Sequence, residues 1–268
     1  MTEKMPQALK LALEKLALPE SKSHKGQNGK LLIIGGSNLF HAASKWSLDV
    51  ASKIVDMVFY SSVPSNNKLI EQAKENFWNG IVIERKDIKN YIDEADAILI
   101  GPGMDRSFYT KRLVNNLLKK YPNKKWVIDA GALQTIDVKL LNNNHIITPH
   151  HQEMALLQEK SKLFDEKNYQ ADCYCLLKGP MDKIFTPKNK QSTEVSGGNA
   201  GMTKGGTGDV LAGLLAAIYC KNSALDSCLI ASHVNKKAGE MLFEEQGPYF
   251  NSSDLVEMIP QALWQATR

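Results

Sequence analysis

With 268 residues, 43% of them hydrophobic and 23% charged, the chain has material for one large core or two small ones, and a single domain over residues 1–268 is the expectation. No stretch approaches the apolar length of a membrane helix, and the opening MTEKMPQALK lacks the apolar run of a signal peptide, so a cytoplasmic protein without a membrane partner is expected. A net charge of +4, with lysines spread along the chain, suits a small anionic ligand and not nucleic acid, which calls for a basic stripe interleaved with aromatics.

In chain order, leucines at 9, 13 and 16 predict a helix over Met5 to Leu18, ended by Pro19. The polar segment ESKSHKGQNG reads as a loop. After it a pattern repeats: a short apolar run, a polar or glycine-rich cluster, then a longer helical stretch. The runs are LLII (31–34), AILI (97–100), WVI (126–128), HII (145–147) and CYCLL (173–177), with MVFY (57–60) and IVI (81–83) as further candidates. Runs without polar alternation are strands covered on both faces, and their alternation with helices predicts a parallel α/β sheet. The four cysteines, Cys173, Cys175, Cys220 and Cys228, have neither zinc-site nor disulfide-scaffold spacing and read as reduced thiols in packed surroundings.

Each main run ends in a distinctive cluster: GGSN, GPGMD, DAGAL, TPHHQE and KGP in turn. Ligands of open parallel sheets bind outside the carboxyl ends of the strands, so these clusters should face one crevice. Turn formation explains any one of them; five in succession, most with charged or imidazole groups, point to a site. Familiar sites are excluded. GxxxxGK[ST] does not occur, GPGMDR puts Arg106 at the last glycine of a dinucleotide fingerprint, the histidines lack metal-ligand spacing, and there is no GxSxG.

TKGGTGDVLAGLLAAI, Thr203 to Ile218, is the most informative stretch. Leu211 to Ile218 reads as a buried helix, and the glycines before it allow backbone N–H groups to approach an anion at its N-terminus. Asp209 either caps that helix or, ionised by the helix N–H groups, accepts a proton from a hydroxyl attacking a phosphoryl group held there.

GGTGD resembles the catalytic signature of the ribokinase-like superfamily. SHKGxxG (23–29), GGSxxF (35–40), ADAILIGPG (95–103), DAGAL (129–133), TPHxxEM (148–154), LKGP (177–180) and GNAGMTKGGTGDVLAG (198–213) follow in the order of ADP/ATP-dependent NAD(P)H-hydrate dehydratases. The resemblance covers roughly residues 20–260, including a closing NSSDLVEMIP (251–260) similar to the family's last helix. It implies a three-layer α/β/α sandwich with a mostly parallel central sheet. It implies a repair enzyme that uses ADP or ATP with Mg2+ to phosphorylate the hydroxyl of hydrated NADH or NADPH, after which phosphate is lost and the reduced cofactor returns. It also implies a homotetramer and a separate epimerase as functional partner, since no spare length for a fused epimerase domain precedes residue 20.

Carried over by resemblance, Asp209 matches the catalytic base, with Gly206, Thr207 and Gly208 in the anion hole and Gly208 also a nucleotide contact. Lys178, Gly179, Pro180, Met181 and Asp182 align with the nucleotide-lining segment, and Ala42, Gly103 and His150 with contacts to the hydrated cofactor. Asn199 and Gly201 belong to the loop entering the anion hole, with Asn199 counted among the substrate contacts. Glu153 matches the acidic residue near metal and phosphates, or simply complements a helix N-terminus. Asp129 binds a ligand or satisfies loop N–H groups, and Lys204 reads as solvated. The chain departs from the family at His41, at Ile54, Val55 and Asp56, and at His151 and Gln152, all expected on the hydrated-cofactor side. Two rivals follow from those departures: a superfamily kinase that phosphorylates an alcohol without elimination, and an inactive nucleotide-binding protein.

Overall fold

The computed structural model describes residues 5–268. The apolar runs become strands because each must be covered twice. In β1 (Lys30–Ile34), Leu31 and Ile33 join one core and Leu32 and Ile34 another, and all four are fully buried. Chain order then gives α2 (Ala42–Ser52, after a first helix α1, Gln7–Glu14), β2 (Met57–Ser61), α3 (Pro64–Gln72), β3 (Ile81–Val82), α4 (Ile88–Ile92), β4 (Ala97–Ile100) and α5 (Phe108–Lys120). It continues through β5 (Lys125–Ile128), α6 (Ala130–Thr135), β6 (His145–Ile147), α7 (His151–Lys160), β7 (Tyr174–Leu177), β8 (Asp182–Phe185) and β9 (Ser192–Val195) to α8 (Thr207–Tyr219), α9 (Ala224–Gln246) and α10 (Ser252–Ala266).

The sheet order is β3-β2-β1-β4-β5-β6-β7-β8-β9, parallel from β3 to β7 and antiparallel at its last two pairings. Helices α1, α2, α8, α9 and α10 pack one face, while α4 to α7 pack the other. This is the expected three-layer sandwich. Strand order reverses between β1 and β4, which opens a crevice at their carboxyl ends. There Gly36 N–H donates to Pro102 O at 2.7 Å, and Gly101 N–H to Ile34 O at 3.0 Å, so the two glycine clusters meet as expected.

Helix α8 is the buried spine: every residue from Val210 to Tyr219 is buried. A helix that is apolar all round belongs between other layers, and α8 lies between the sheet and helices α2 and α9. A Cβ on Gly213 would come within 2.7 Å of Ser47 Cα and O, so glycine is what lets α2 approach. Ser47 Oγ, in return, donates to Asp209 O at 2.8 Å, fixing the start of α8 against α2.

Several boundaries differ from the sequence reading. The first helix is Gln7–Glu14 instead of 5–18, because Pro6 sits at its N-cap in an extended conformation. The strand expected at 81–83 closes at Val82, and that at 173–177 opens at Tyr174. The buried helix begins at Thr207, four residues earlier than read, which places Asp209 inside its first turn. The hairpin β8–β9 was missed altogether. Its strands, DKIF and STEV, mix charged with apolar residues and pair Lys183 with Glu194, the look of a polar edge.

Candidate active site

The carboxyl ends of β5, β6 and β7 and the N-terminus of α8 converge. Asp129 directly follows β5 and is nearly fully buried. It accepts from Thr148 Oγ1 at 2.8 Å and from Lys178 Nζ at 2.9 Å. Its Oδ1 thus takes a hydroxyl and an ammonium, a pairing with Lys178 that the sequence reading did not foresee. Lys178 N–H donates to Pro149 O at 2.8 Å, and His150 pairs with Lys178 in a parallel bridge, so one short pairing sets both side chains at the crevice. Burial alone would lower the Lys178 pKa, but Asp129, Glu153 and Asp209 outweigh it, and the ammonium is held charged.

Gly206 is the N-cap of α8 in the left-handed conformation, φ 97°. It is also where α8 meets Trp46, whose ring would lie 2.2 Å from a Cβ there. The approach loop is tied down: Thr207 Oγ1 donates to Met202 O at 2.7 Å, and Ser252 Oγ to Gly205 O at 2.8 Å. Lys204 is exposed, as expected of a solvated cation, and it also ties the loop down by donating to Phe250 O at 2.6 Å and to Pro248 O. Lys178 Nζ would stand 3.5 Å from a Cβ on Gly208, so cation and helix N-terminus face each other. Together they make a positively polarised hole.

Asp209 sits at this junction with an unexpected charge state. Burial, then the neighbouring Asp129, push its carboxyl up to about 7, with Lys178 opposing and Glu153 adding to the rise. The sequence expectation of a carboxylate kept ionised by helix N–H groups is therefore corrected. Those groups act, but desolvation and two acidic neighbours win.

Beside the hole, a pocket of ≈ 560 Å³ runs from Lys178, Thr207 and Gly208 past Gly179, Pro180 and Asp182 to Met202, Leu211 and Asn235. Most of the expected nucleotide segment lines it, but Met181 does not. Met181 lines a separate depression with Leu9 and His233, because the tight turn into β8 throws its side chain outward. Asp182 is buried with its oxygens committed, accepting from Gly179 N–H at 2.9 Å and Ser232 Oγ at 2.7 Å. Lys236, which sequence reading missed, donates to Gly179 O and Pro180 O, each at 3.0 Å, and to Gly197 O at 3.3 Å. Its ammonium lies 3.4 Å from Asp182. Lys236→Met is expected to cost ~2–3 kcal/mol of stability, measured by urea unfolding, since it orphans three carbonyls and a buried carboxylate. An unshifted midpoint would show that the loops hold without it.

Other expected residues are distributed unevenly. His150 caps α7: its Nδ1 accepts from Gln152 and Glu153 N–H at 3.1 and 3.2 Å, leaving Nε2 protonated and half-exposed. Glu153, 4% exposed, completes the capping box by accepting from His150 N–H at 3.0 Å, and its other oxygen accepts from Gln134 Nε2 at 2.8 Å. Ala42 opens α2, and a Cβ on Gly103 would lie 2.8 Å from Phe40 O and 3.1 Å from Ala43 Cβ, so Gly103 meets the start of α2 at the β1–β4 crevice. Asn199 has both amide ends engaged, with Gly201 N–H at 2.9 Å and Gly239 O at 2.7 Å, and it lines the pocket, not the β1–β4 side. Residues 54–56 do not lie on the hydrated-cofactor side. They precede β2, at the opposite end of the sheet, where Asp56 accepts from Gly26 N–H at 2.8 Å and Asn28 N–H at 3.1 Å. His41 Nδ1 pairs with Asn66 Oδ1 at 3.2 Å, and His151 lies beside Gly179. Among the described residues, no group of three or more His, Cys, Asp or Glu is arranged to cage a metal.

A family model described as NAD(P)H-hydrate dehydratase matches residues 31–261, the region holding every element of this site. The chain belongs to the NAD(P)H-hydrate dehydratase family. An ADP-dependent (S)-NAD(P)H-hydrate dehydratase from Nitrosopumilus maritimus is 32% identical, covering 94% of each chain. The bifunctional NAD(P)H-hydrate repair enzyme Nnr of Methanocaldococcus jannaschii is 37% identical over 94% of this dehydratase-family chain and 51% of its own length. The chain thus spans about half the length of the bifunctional relatives it matches. The Bacillus subtilis ADP/ATP-dependent NAD(P)H-hydrate dehydratase co-crystallized with ATP/Mg2+ shares the fold, with TM-score 0.81, 22% identity and 97% of both chains covered. An Enterococcus faecalis ribokinase-like superfamily protein does so as well, with TM-score 0.81 at 20% identity, and the sandwich is therefore ribokinase-like.

Proposed function

We propose that this chain carries out nucleotide-dependent repair of hydrated NADH or NADPH. The observation that carries the reading is the meeting of one base with one anion hole: Asp209 in the first turn of α8, faced by Lys178 and flanked by a pocket of nucleotide size. The pocket takes ADP or ATP, with its transferable phosphate between Lys178 and the N–H groups of Thr207 and Gly208. The hydrated nicotinamide ring lies toward the β1–β4 crevice, against Ala42, Gly103 and His150. Asp209 takes the proton of the ring hydroxyl as that oxygen attacks phosphorus, and AMP or ADP leaves with the broken P–O bond's electron pair. Loss of the new phosphate, with a proton from the neighbouring carbon, restores the double bond of the dihydronicotinamide.

The donor set fits magnesium shared with phosphates. Asp129 and Glu153 are hard oxygen donors close enough to raise the Asp209 pKa, and magnesium characteristically uses one or two carboxylates plus substrate oxygens in place of a protein cage. Glu153 would hold it, and when bound it neutralises charge on the phosphate oxygens. The setting proposed is the cytoplasm, the assembly a homotetramer, and the supplier of the usable stereoisomer a separate epimerase.

The deciding experiment mixes purified protein, Mg2+ and ADP or ATP with hydrated NADH or NADPH and follows the return of dihydronicotinamide absorbance. A return that needs nucleotide supports the proposal; a stable phosphorylated alcohol with no return would replace it with a plain kinase. In the same assay kcat/KM should rise about tenfold per pH unit below the Asp209 pKa of about 7 and level off above it, because only the ionised carboxylate accepts the proton. A rate that falls over that range would remove Asp209 as the base.

A further inference from the structure

Among the buried side-chain polar atoms of the described residues, Ser61 Oγ, Arg85 Nε, Gln134 Oε1, His145 Nε2 and Asn235 Oδ1 lack a hydrogen-bond partner. Of these residues, Asn235 alone lines the large pocket. It is 5% exposed and sits in the interior of α9, where asparagine has no capping role and is a poor helix former. Leaving a buried amide oxygen unpaired is costly, and a turn of the amide about its soft terminal torsion brings that oxygen to the pocket the residue lines.

The pocket is polar in a graded way. At one end are Lys178, Thr207 and Gly208, which suit phosphates. Pro180, Met202 and Leu211 supply apolar wall, which suits a flat heterocycle. Asn235 shares the wall with them, and its neighbour Lys236 is fully engaged with Gly179, Pro180 and Gly197 and unavailable to a ligand.

We infer that Asn235 is the base-selecting residue of the nucleotide pocket, pairing through its side-chain amide with the amino group and adjacent ring nitrogen of adenine. A primary amide offers one acceptor and one donor, and adenine presents the complement, N6 donating to Asn235 Oδ1 and N7 accepting from its Nδ2. A 6-oxo purine presents two acceptors on that edge, so it leaves Asn235 Oδ1 facing another oxygen. The inference rests on the nucleotide reading given above and deepens it.

The test is calorimetric titration of the full chain with ADP, ATP, IDP and inorganic tripolyphosphate, repeated on Asn235→Leu and Asn235→Ala. The parent should prefer ADP over IDP by roughly tenfold or more. Both variants should lose that preference, mainly by weakening ADP, while tripolyphosphate affinity stays as in the parent. A preference that survives in both variants overturns the inference, as does an equal loss for ADP and IDP, which would mark a ribose contact. If the parent binds neither ADP nor ATP, it is the nucleotide reading itself that fails. Circular dichroism of the two variants separates misfolding from lost recognition, and Asn235→Ala, which adds no bulk, decides where Asn235→Leu does not fold.

Discussion

Replacing Asp209 with asparagine is expected to lower turnover roughly a hundred- to ten-thousandfold while ADP or ATP affinity stays near that of the parent. Asparagine keeps the size of the side chain and the start of α8, including the Ser47 contact to the Asp209 carbonyl, so only proton acceptance is lost. The substitution carries a second signature, in stability. Folded Asp209 has its pKa raised to about 7, by burial and then by Asp129, whereas an unfolded aspartate titrates near ~4. Between these values the folded chain binds a proton that the unfolded chain has released, so this group's contribution to stability falls as pH rises toward 7 and is lowest above it. Asp209→Asn should therefore melt higher than the parent at pH 8 and gain little at pH 4. Equal melting at both would mean that the carboxylate carries no burden in the free protein.

Gly206→Ala is expected to be the most damaging single-methyl change near the site, costing ~3–5 kcal/mol and most of the activity. Two penalties coincide: a left-handed φ of 97°, and a Cβ placed 2.2 Å from the Trp46 ring and 2.7 Å from Ser252 Oγ. Relief requires α8 to shift, and that moves the N–H groups proposed to hold phosphate. Gly205, one residue earlier, has open space where its Cβ would go and a φ outside the left-handed region, so Gly205→Ala should be nearly neutral. Thermal melts of the two variants side by side would check this; equal losses would show that the loop, not the packing, sets the cost.

Sequence patterning made the central sheet readable because seven strands sit between helical layers and carry uninterrupted apolar residues, as in AILI at 97–100, all four fully buried. The clusters after them were readable because glycine and proline mark where a strand must end. The β8–β9 hairpin was hidden for the complementary reason: Lys183 in β8 and Glu194 in the edge strand β9 interrupt its apolar pattern, so it resembles loop. Charge states were hidden too. Asp209 looked like a helix-stabilised carboxylate, and only the placement of Asp129, after β5, and Glu153, in α7, reveals the opposing field. Lys236 and Asn235 left no readable signal, since polar residues in a long helix are read as its wet face and here they face a pocket.

The clasp formed by Lys236 also bears on biosynthesis. The pocket wall unites residues 178–182 with residues 197–203 through a side chain from α9, 57 positions beyond Gly179. A chain emerging from the ribosome completes its parallel strands well before α9 closes this pocket. If the pocket takes the nucleotide proposed above, that ligand stabilises the chain only once α9 is in place, by mass action on the last stage of folding, and gives no help to the partial chain.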